Sequence, residues 1–284
     1  MKGSVAFEAH YQSIFQDRWP SLKAALLQDK QHVVVLAPGE ALPAALASAP
    51  ELPWFPRAFA LKDKVELPGV RCYFMDAASL LPVQALELKA GECVLDLCAA
   101  PGGKSLLMAW QIGHTGQLVA NDRSPDRRGR LKKTLETLTV ESERPLIKVT
   151  GHEAGGWGLH EKNRYDKVLL DAPCSSERHV LEDSKELENW SPKRPQRLAK
   201  DQFTMLCAAL EAVKVGGYIV YSTCALELGE NDGVVQKLLE RRVGRVELAP
   251  WPAPLGESTA VGQRVLPDRE GWGPFYLARL RKVG

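Results

Sequence analysis

The sequence predicts an α/β protein in which a mostly parallel, doubly wound sheet follows a smaller N-terminal α+β domain. Three observations predict it. From about residue 90 onward, short β-rich runs alternate with longer amphipathic segments, the pattern of strands joined by helical crossovers. A glycine pair, Gly102-Gly103, sits where the first of those strands hands over to a helix. The first 75 or so residues break this rhythm with a helical pattern followed by one apolar strand run.

Taken in chain order, "AFEAHYQSIFQDRWPSLKAALLQ" carries apolar residues at i, i+3, i+4 spacing and reads as helix, and "HVVVLAP" reads as a strand. Pro and Gly then cluster between Pro50 and Gly69, and the stretch as a whole reads as a smaller domain over residues 1–75. The second domain, residues 76–284, opens with the strand "ECVLDL" and a helix from Lys104. The strand "GQLVAN", a helix from Pro125 and the strands "PLIKVT", "YDKVLLD" and "VGGYIVYS" follow, and "PFYLARLRK" closes the series. The Pro/Gly-rich span 249–263 is expected to loop out before that last strand.

A chain of 284 residues with 45% hydrophobic content can bury a large domain plus an appendage. The formal net charge of +2 means that any nucleic-acid binding must come from local basic patches. Six cysteines without a CxxC pair are unlike a disulfide framework or a zinc site, so a reducing compartment and no metal are expected. No run of about 18 apolar residues occurs, and "MKGSVAFEAHYQ" lacks the basic end and apolar stretch of a secretory signal. The expectation is a soluble cytoplasmic protein without a membrane partner.

In "VLDLCAAPGGKSLL" the strand-to-helix turn presents free backbone N–H groups and a helix dipole, which favour an anionic group. Gly103-Lys104-Ser105 looks like the end of a Walker A loop, but that motif needs glycine where Cys98 stands, and a G-x-G-x-x-G fingerprint is also absent. Asp122 ends the second strand, where an acid accepts hydrogen bonds from both ribose hydroxyls of a nucleoside cofactor. A glycine turn plus that acid, without a phosphate loop, suits S-adenosylmethionine.

Cys174, in "DAPC", and Cys224, in "YSTC", each follow an apolar strand run, and ligands of open α/β sheets bind beyond the carboxyl ends of strands. Both thiols should face one crevice. Cytosine carbon 5 becomes nucleophilic only after something adds to carbon 6, and a thiolate is the natural nucleophile for that addition. Asp171 is placed to hydrogen-bond the N3/N4 edge of such a base. Cys72, Cys93 and Cys207 read as packing.

"LDLCAAPGGKS", "DAPCS" and "GGYIVYSTCALELGEND" resemble the signature segments of the Nop2/Sun RNA cytosine-5 methyltransferases. The resemblance extends to "MDAASLLPVQALELKAGE" and "WGPFYLARL", so it covers about residues 70–282, and "FEAHYQSIFQDRWPSLKAALL" is similar to the start of the mitochondrial ribosomal-RNA branch. It implies a Rossmann-like class I S-adenosylmethionine-dependent methyltransferase fold. It also implies that Cys224 is the nucleophile and that Cys174 assists product release. Cofactor contacts are implied for Cys98, Ala99, Ala100, Pro101, Gly102, Gly103 and Lys104, for Asp122 and Arg127, for Glu153 and Ala154 at the adenine, and for Asp171. Here "SSERHVLED" follows Cys174 where common bacterial members have Ser-Gly and a basic stretch, so substrate details of those members do not carry over.

Basic residues gather in "RSPDRRGRLKK" and in "SPKRPQRLAK" (Lys193, Arg194, Arg197, Lys200), and either cluster, or the N-terminal domain, could contact RNA phosphates. Trp190 reads either as a base-stacking ring or as packing, with packing favoured, and His179 as an ordinary loop histidine. The resulting expectation is a monomeric enzyme acting on ribosomal RNA. The same chemistry on transfer RNA is the alternative, as is a non-catalytic assembly factor, though mere binding needs neither thiol. A separate protein that delivers the RNA is a further expected partner.

Overall fold

The computed structural model describes residues 3–63, 65–142 and 144–284. Two helices, α1 (Ser4–Phe15) and α2 (Trp19–Leu26), lead into a three-stranded antiparallel sheet of β1 (His32–Leu36), β2 (Ala58–Leu61) and β3 (Cys72–Met75), in the order β2-β1-β3. A 3-10 turn and the short α3 (Leu81–Ala85) follow. Then come β4 (Cys93–Asp96), α4 (Gly103–Ile112), β5 (Gln117–Asn121), α5 (Pro125–Leu138), β6 (Leu146–Thr150) and β7 (Tyr165–Asp171). Helices α6 (Glu177–Glu182), α7 (Ser184–Asn189) and α8 (Lys193–Ala212) lead to β8 (Val213–Thr223) and α9 (Asp232–Arg241). The chain closes with β9 (Val246–Leu248), β10 (Glu257–Ser258), β11 (Gln263–Val265), α10 (Pro267–Glu270) and β12 (Phe275–Lys282).

The large sheet runs β10-β11-β12-β8-β7-β4-β5-β6, with β9 paired to β12. Its central pairs, β6-β5-β4-β7-β8, are all parallel and β12 is antiparallel to β8. Parallel strands covered on both faces need apolar residues on both, and β4 and β7 supply them. Val94 and Leu169 point to the face covered by α3, α4 and α5, whereas Leu95, Val168 and Leu170 point to the face covered by α8, α9 and a 3-10 turn at Ala154–Leu159. Each such fully buried side chain contributes roughly 1.5–3 kcal/mol. The fold is therefore the Rossmann-like, mostly parallel arrangement that the alternation of runs predicts.

Two local expectations are corrected, and one strand is added. The helical stretch near the N-terminus is two helices, because Gln16 turns to φ 50° and a 3-10 turn separates α1 from α2, which restarts with Pro20 in its first turn. The Pro/Gly cluster after Pro50 contains β2, whose four residues are too few to show a period but are held by the antiparallel register with β1. The span 249–263 includes β10 and the start of β11, a small hairpin added to the β12 edge.

Residues 1–75 divide their packing. One face of the small sheet has its own cluster of Val34, Leu36, Leu46, Phe59 and Leu61, while Val33, Val35 and Ala58 join the core of the large sheet. Phe7, Tyr11 and Trp19 pack with Val180, Trp190 and Leu226 instead. Among the described residues, no helix is long and apolar enough to cross a membrane.

Candidate active site

Parallel pairing of β7 with β8 sets Asp171 opposite Ser222, and the chain then carries Cys174 and Cys224 a few residues past those strand ends. The two sulfurs lie 3.0 Å apart. Ser176 places its hydroxyl 3.1 Å from the Cys224 sulfur and 3.5 Å from that of Cys174. Ser176 is itself left-handed at φ 51°, a conformation a serine holds only when its surroundings impose it. Cys224 is exposed to solvent and Cys174 half-buried.

The two thiols differ electrostatically. Hydrogen bonding from Cys174, helped by Ser176, lowers the Cys224 pKa below that of an ordinary thiol, against the partial desolvation that the surrounding protein imposes on this surface residue. The same contact, together with burial, pushes the Cys174 pKa well up. The contact thus favours a thiolate at Cys224 and a proton on Cys174.

Asp171 accepts a hydrogen bond from Ser222 Oγ at 2.8 Å with one oxygen and from Lys104 Nζ at 2.7 Å with the other. Burial alone would discharge Lys104, but the Asp171 carboxylate, helped by Asp96, outweighs it and raises the lysine pKa. The ammonium also stands 5.4 Å over the Phe275 ring. A fixed acid and a fixed cation therefore flank the thiols.

Two cavities open beside this group, and Cys98 lines both. The larger, of about 650 Å³, is walled by Asn121, Asp122, Arg127, Glu153, Ala154 and Met205, among others. Asp122 is buried there; it accepts from the backbone N–H of Ala100 at 3.3 Å and of Ser124 at 3.0 Å, and Arg127 donates to the Ala100 carbonyl at 2.6 Å. Asn121 ties the loops beyond three strands together, donating to the carbonyls of Leu97 and His152. Glu153 lines this cavity at its rim, with its side chain mostly exposed and 3.3 Å from Arg123, while Ala154 is buried at the start of the 3-10 turn.

The smaller cavity, of about 200 Å³, is lined by Ala99, Ala100, Pro101, Gly103, Lys104, Asp96 and Asp171, and on the far side by Tyr73 and Phe74. Gly102 has φ 115°, and a Cβ on Gly103 would come 2.4 Å from the Tyr73 ring, so both glycines are required by the turn and by the close approach of β3. Asp96 accepts from Ser105 Oγ at 2.6 Å, but its other oxygen is buried without a partner. Burial raises the Asp96 pKa to about 7. An unmatched buried acceptor in a cavity beside a helix N-terminus suits an ammonium-bearing, carboxylate-bearing ligand such as the methionine part of S-adenosylmethionine. Burial also pushes the Cys98 thiol far up, so it acts as wall and not as nucleophile.

Of the residues that the sequence marked, Cys98, Ala99, Ala100, Pro101, Gly103, Lys104, Asp122, Arg127, Glu153, Ala154 and Asp171 line the two cavities, and Cys174 and Cys224 sit together at the ends of the neighbouring strands. Sequence reasoning missed Tyr73, Ser176, Glu177 and Glu230. Glu177 and Glu230 are both fully buried, and both bind Ser175, the residue after Cys174, through its hydroxyl at 2.5 Å and its N–H at 3.0 Å. The available signal was charge inside segments otherwise read as loop. Trp190 is fully buried against Phe7 and Tyr11 and is packing, and His179 is exposed on α6. Arg194 is ion-paired with Glu186, whereas Lys193, Arg197 and Lys200 are exposed. Among the described residues, no group of three or more His, Cys, Asp or Glu could hold a metal ion.

A family model described as 16S rRNA methyltransferase RsmB/F matches residues 83–281. Among curated proteins, mouse 5-cytosine rRNA methyltransferase NSUN4 is 33% identical over 98% of this chain and 87% of its own length. The zebrafish mitochondrial tRNA (cytosine(34)-C(5))-methyltransferase is 42% identical over 74% of this chain, which spans 60% of that relative's length. The ribosomal RNA small subunit methyltransferase F of Klebsiella pneumoniae is 35% identical over 74% of this chain and 45% of its own length. A solved methyltransferase homolog protein from Pyrococcus horikoshii superposes with a TM-score of 0.81 at 26% identity, covering 98% of this chain and 94% of the other. NSun6 from the same organism superposes with a TM-score of 0.80 at 20% identity, covering 98% of each, and shares the fold.

Proposed function

Because the chain belongs to the 16S rRNA methyltransferase RsmB/F family, we propose that it methylates carbon 5 of a cytosine in RNA, with ribosomal RNA as the substrate and S-adenosylmethionine as the methyl donor. The observation that carries this reading is the pair of thiols 3.0 Å apart at the ends of adjacent parallel strands, beside a cavity with a buried acid for a ribose. Ribosomal RNA is favoured over transfer RNA because the matching family model and the relative that covers 98% of the chain are both described as ribosomal RNA methyltransferases.

S-adenosylmethionine, when bound, supplies an electrophilic methyl group. Asp122 would hold its ribose, the turn Cys98–Lys104 and Asp96 its methionine end, and Ala154 its adenine, with Arg127 fixing the turn through the Ala100 carbonyl. The Cys224 thiolate adds to carbon 6 of the base, which makes carbon 5 nucleophilic. Asp171, held by Lys104 and Ser222, hydrogen-bonds the N3/N4 edge and stabilises the adduct. After methylation the carbon-5 proton passes to water in the open crevice, its electron pair restores the C5=C6 bond, and the C6–S pair returns to Cys224 as a thiolate. Cys174 assists this elimination from its place beside the attacking sulfur.

Alanine substitutions separate the two roles. Cys224→Ala is expected to abolish both methyl transfer and covalent attachment. Cys174→Ala is expected to attack and methylate but to accumulate a protein–RNA adduct that survives denaturing electrophoresis. An adduct with Cys224→Ala and none with Cys174→Ala would reverse the assignment.

A further inference from the structure

The first helix reaches the two loops that carry the thiols. Tyr11, on α1 and fully buried, donates its hydroxyl at 2.6 Å to Glu177 Oε1. That oxygen also accepts from Ser175 Oγ at 2.5 Å, and Oε2 of the same carboxylate accepts from the Leu226 N–H at 2.8 Å. One buried carboxylate therefore joins the residue next to Cys174 to the loop just beyond Cys224. The neighbouring His10 has Nε2 2.6 Å from Glu227 Oε2, a second tie to the Cys224 loop. Phe7, Trp19 and Trp190 pack around Tyr11 and exclude water from the junction.

The β7–β8 pairing ends at Asp171 and Ser222, followed by one bond from the Ala172 N–H to the Ser222 carbonyl, and on β8 the pairing with β12 ends at Thr223, just before Cys224. Past these points side-chain ties hold the two loops together. We propose that α1 is a positioning element for the thiol pair, with Tyr11 acting through Glu177 to hold the Cys174 and Cys224 loops at bonding distance. The proposal rests on the reading of the two thiols given above and adds a role for the N-terminal segment within the catalytic site. Tyr11 touches neither sulfur and is a positioning residue, not a catalytic one.

The groups facing Cys224 are Cys174 and Ser176 from the loop after β7, Asp171 at the β7 end, Glu177 on α6 and Lys104 on α4. Cys174 and Ser176 stabilise its thiolate, and both lie on the loop that Glu177 anchors. Loosening that anchor should let the Cys224 pKa rise toward that of an ordinary thiol.

The test is Tyr11→Phe in the full chain, which keeps the ring and removes one hydroxyl. Alkylation of Cys224 by iodoacetamide is followed against pH by peptide mass spectrometry, with a thermal melt on the same samples. Trp19→Phe, in the same aromatic cluster but without a bond to either loop, serves as the packing control. The expected result is an alkylation midpoint moved to higher pH in Tyr11→Phe and unmoved in Trp19→Phe. Methyl transfer by Tyr11→Phe is expected to fall by about tenfold or more in kcat with little change in KM, the mark of lost alignment. An unmoved midpoint in Tyr11→Phe, or an equal shift in both variants, overturns the proposal. The alkylation readout needs no RNA, so a failure of the wild-type chain to methylate any RNA would sink the functional reading while leaving this result to be judged separately.

Discussion

Asp122 and Glu153 both stand where an acid could meet the nucleoside cofactor, and their surroundings separate them. Asp122 is buried, with its oxygens held by the N–H groups of Ala100 and Ser124, so its direction is set before any ligand arrives. Glu153 sits at the rim opposite Arg123, mostly in water, where a surface ion pair contributes about 0–1 kcal/mol. Asp122→Ala should therefore weaken S-adenosylmethionine binding. A lost charged hydrogen bond costs about 1.5–3 kcal/mol, or roughly tenfold to more than a hundredfold in Kd. Titration calorimetry reads this directly, and an unchanged Kd would remove Asp122 from the ribose site. The asymmetry of the thiols is likewise a matter of neighbours, since Ser176 sits closer to Cys224 than to Cys174.

At the scale of elements, long alternating runs were legible and short or borrowed ones were not. The strands carrying Asp171 and Ser222 have continuous apolar runs because both faces are covered, so their ends, and hence the thiols, could be placed from sequence. Strand β2 and the β10–β11 hairpin are too short to show a period and exist because β1 and β12 offer edges. Tyr73 and Glu177 reach the site only through tertiary packing, by the approach of β3 to Gly103 and of α1 to α6, which no local spacing encodes. Helix α8 illustrates both sides. Its basic cluster was visible, but Arg194 is committed to Glu186, and the exposed residues Lys193, Arg197 and Lys200 recur at helical spacing along one face. If that face meets phosphates, replacing all three by alanine should flatten the dependence of log K on log salt by about 2, at roughly 0.7–0.9 per contact. Cofactor affinity should stay unchanged. RNA binding measured across a salt series tests this, and an unaltered slope returns the cluster to a solvated helix face.

Across the whole molecule the N-terminal helices pack against the segment that precedes β12. Arg18 bonds Asp268 at 2.7 Å, and α1 and α2 share a core with Leu226 and Leu266. Beneath the thiol loops lie two buried acids, Glu177 and Glu230, and burial followed by the charge of Glu177 raises the Glu230 pKa to about 8. Its unfolded value is about 4.3. Because the folded value is the higher one, the contribution to stability is fully present below about pH 4. It is lost as pH rises through about 8. Glu230→Gln, which cannot ionise, should flatten the fall in stability between those limits, a difference on the order of a few kcal/mol at most. Urea unfolding at a series of pH values measures it, and parallel curves for variant and wild type would show that Glu230 keeps no proton in the folded state.

The measurement closest to the central claim is methyl transfer itself. Total RNA from a strain lacking the gene is incubated with the purified protein and S-adenosylmethionine labelled in its methyl group. Ribosomal and transfer RNA are then separated and digested to nucleosides for mass spectrometry. The account predicts label in 5-methylcytidine from ribosomal RNA and none in transfer RNA. Label confined to transfer RNA would contradict the substrate, and label on any other nucleoside, or on no RNA at all, would contradict the reaction.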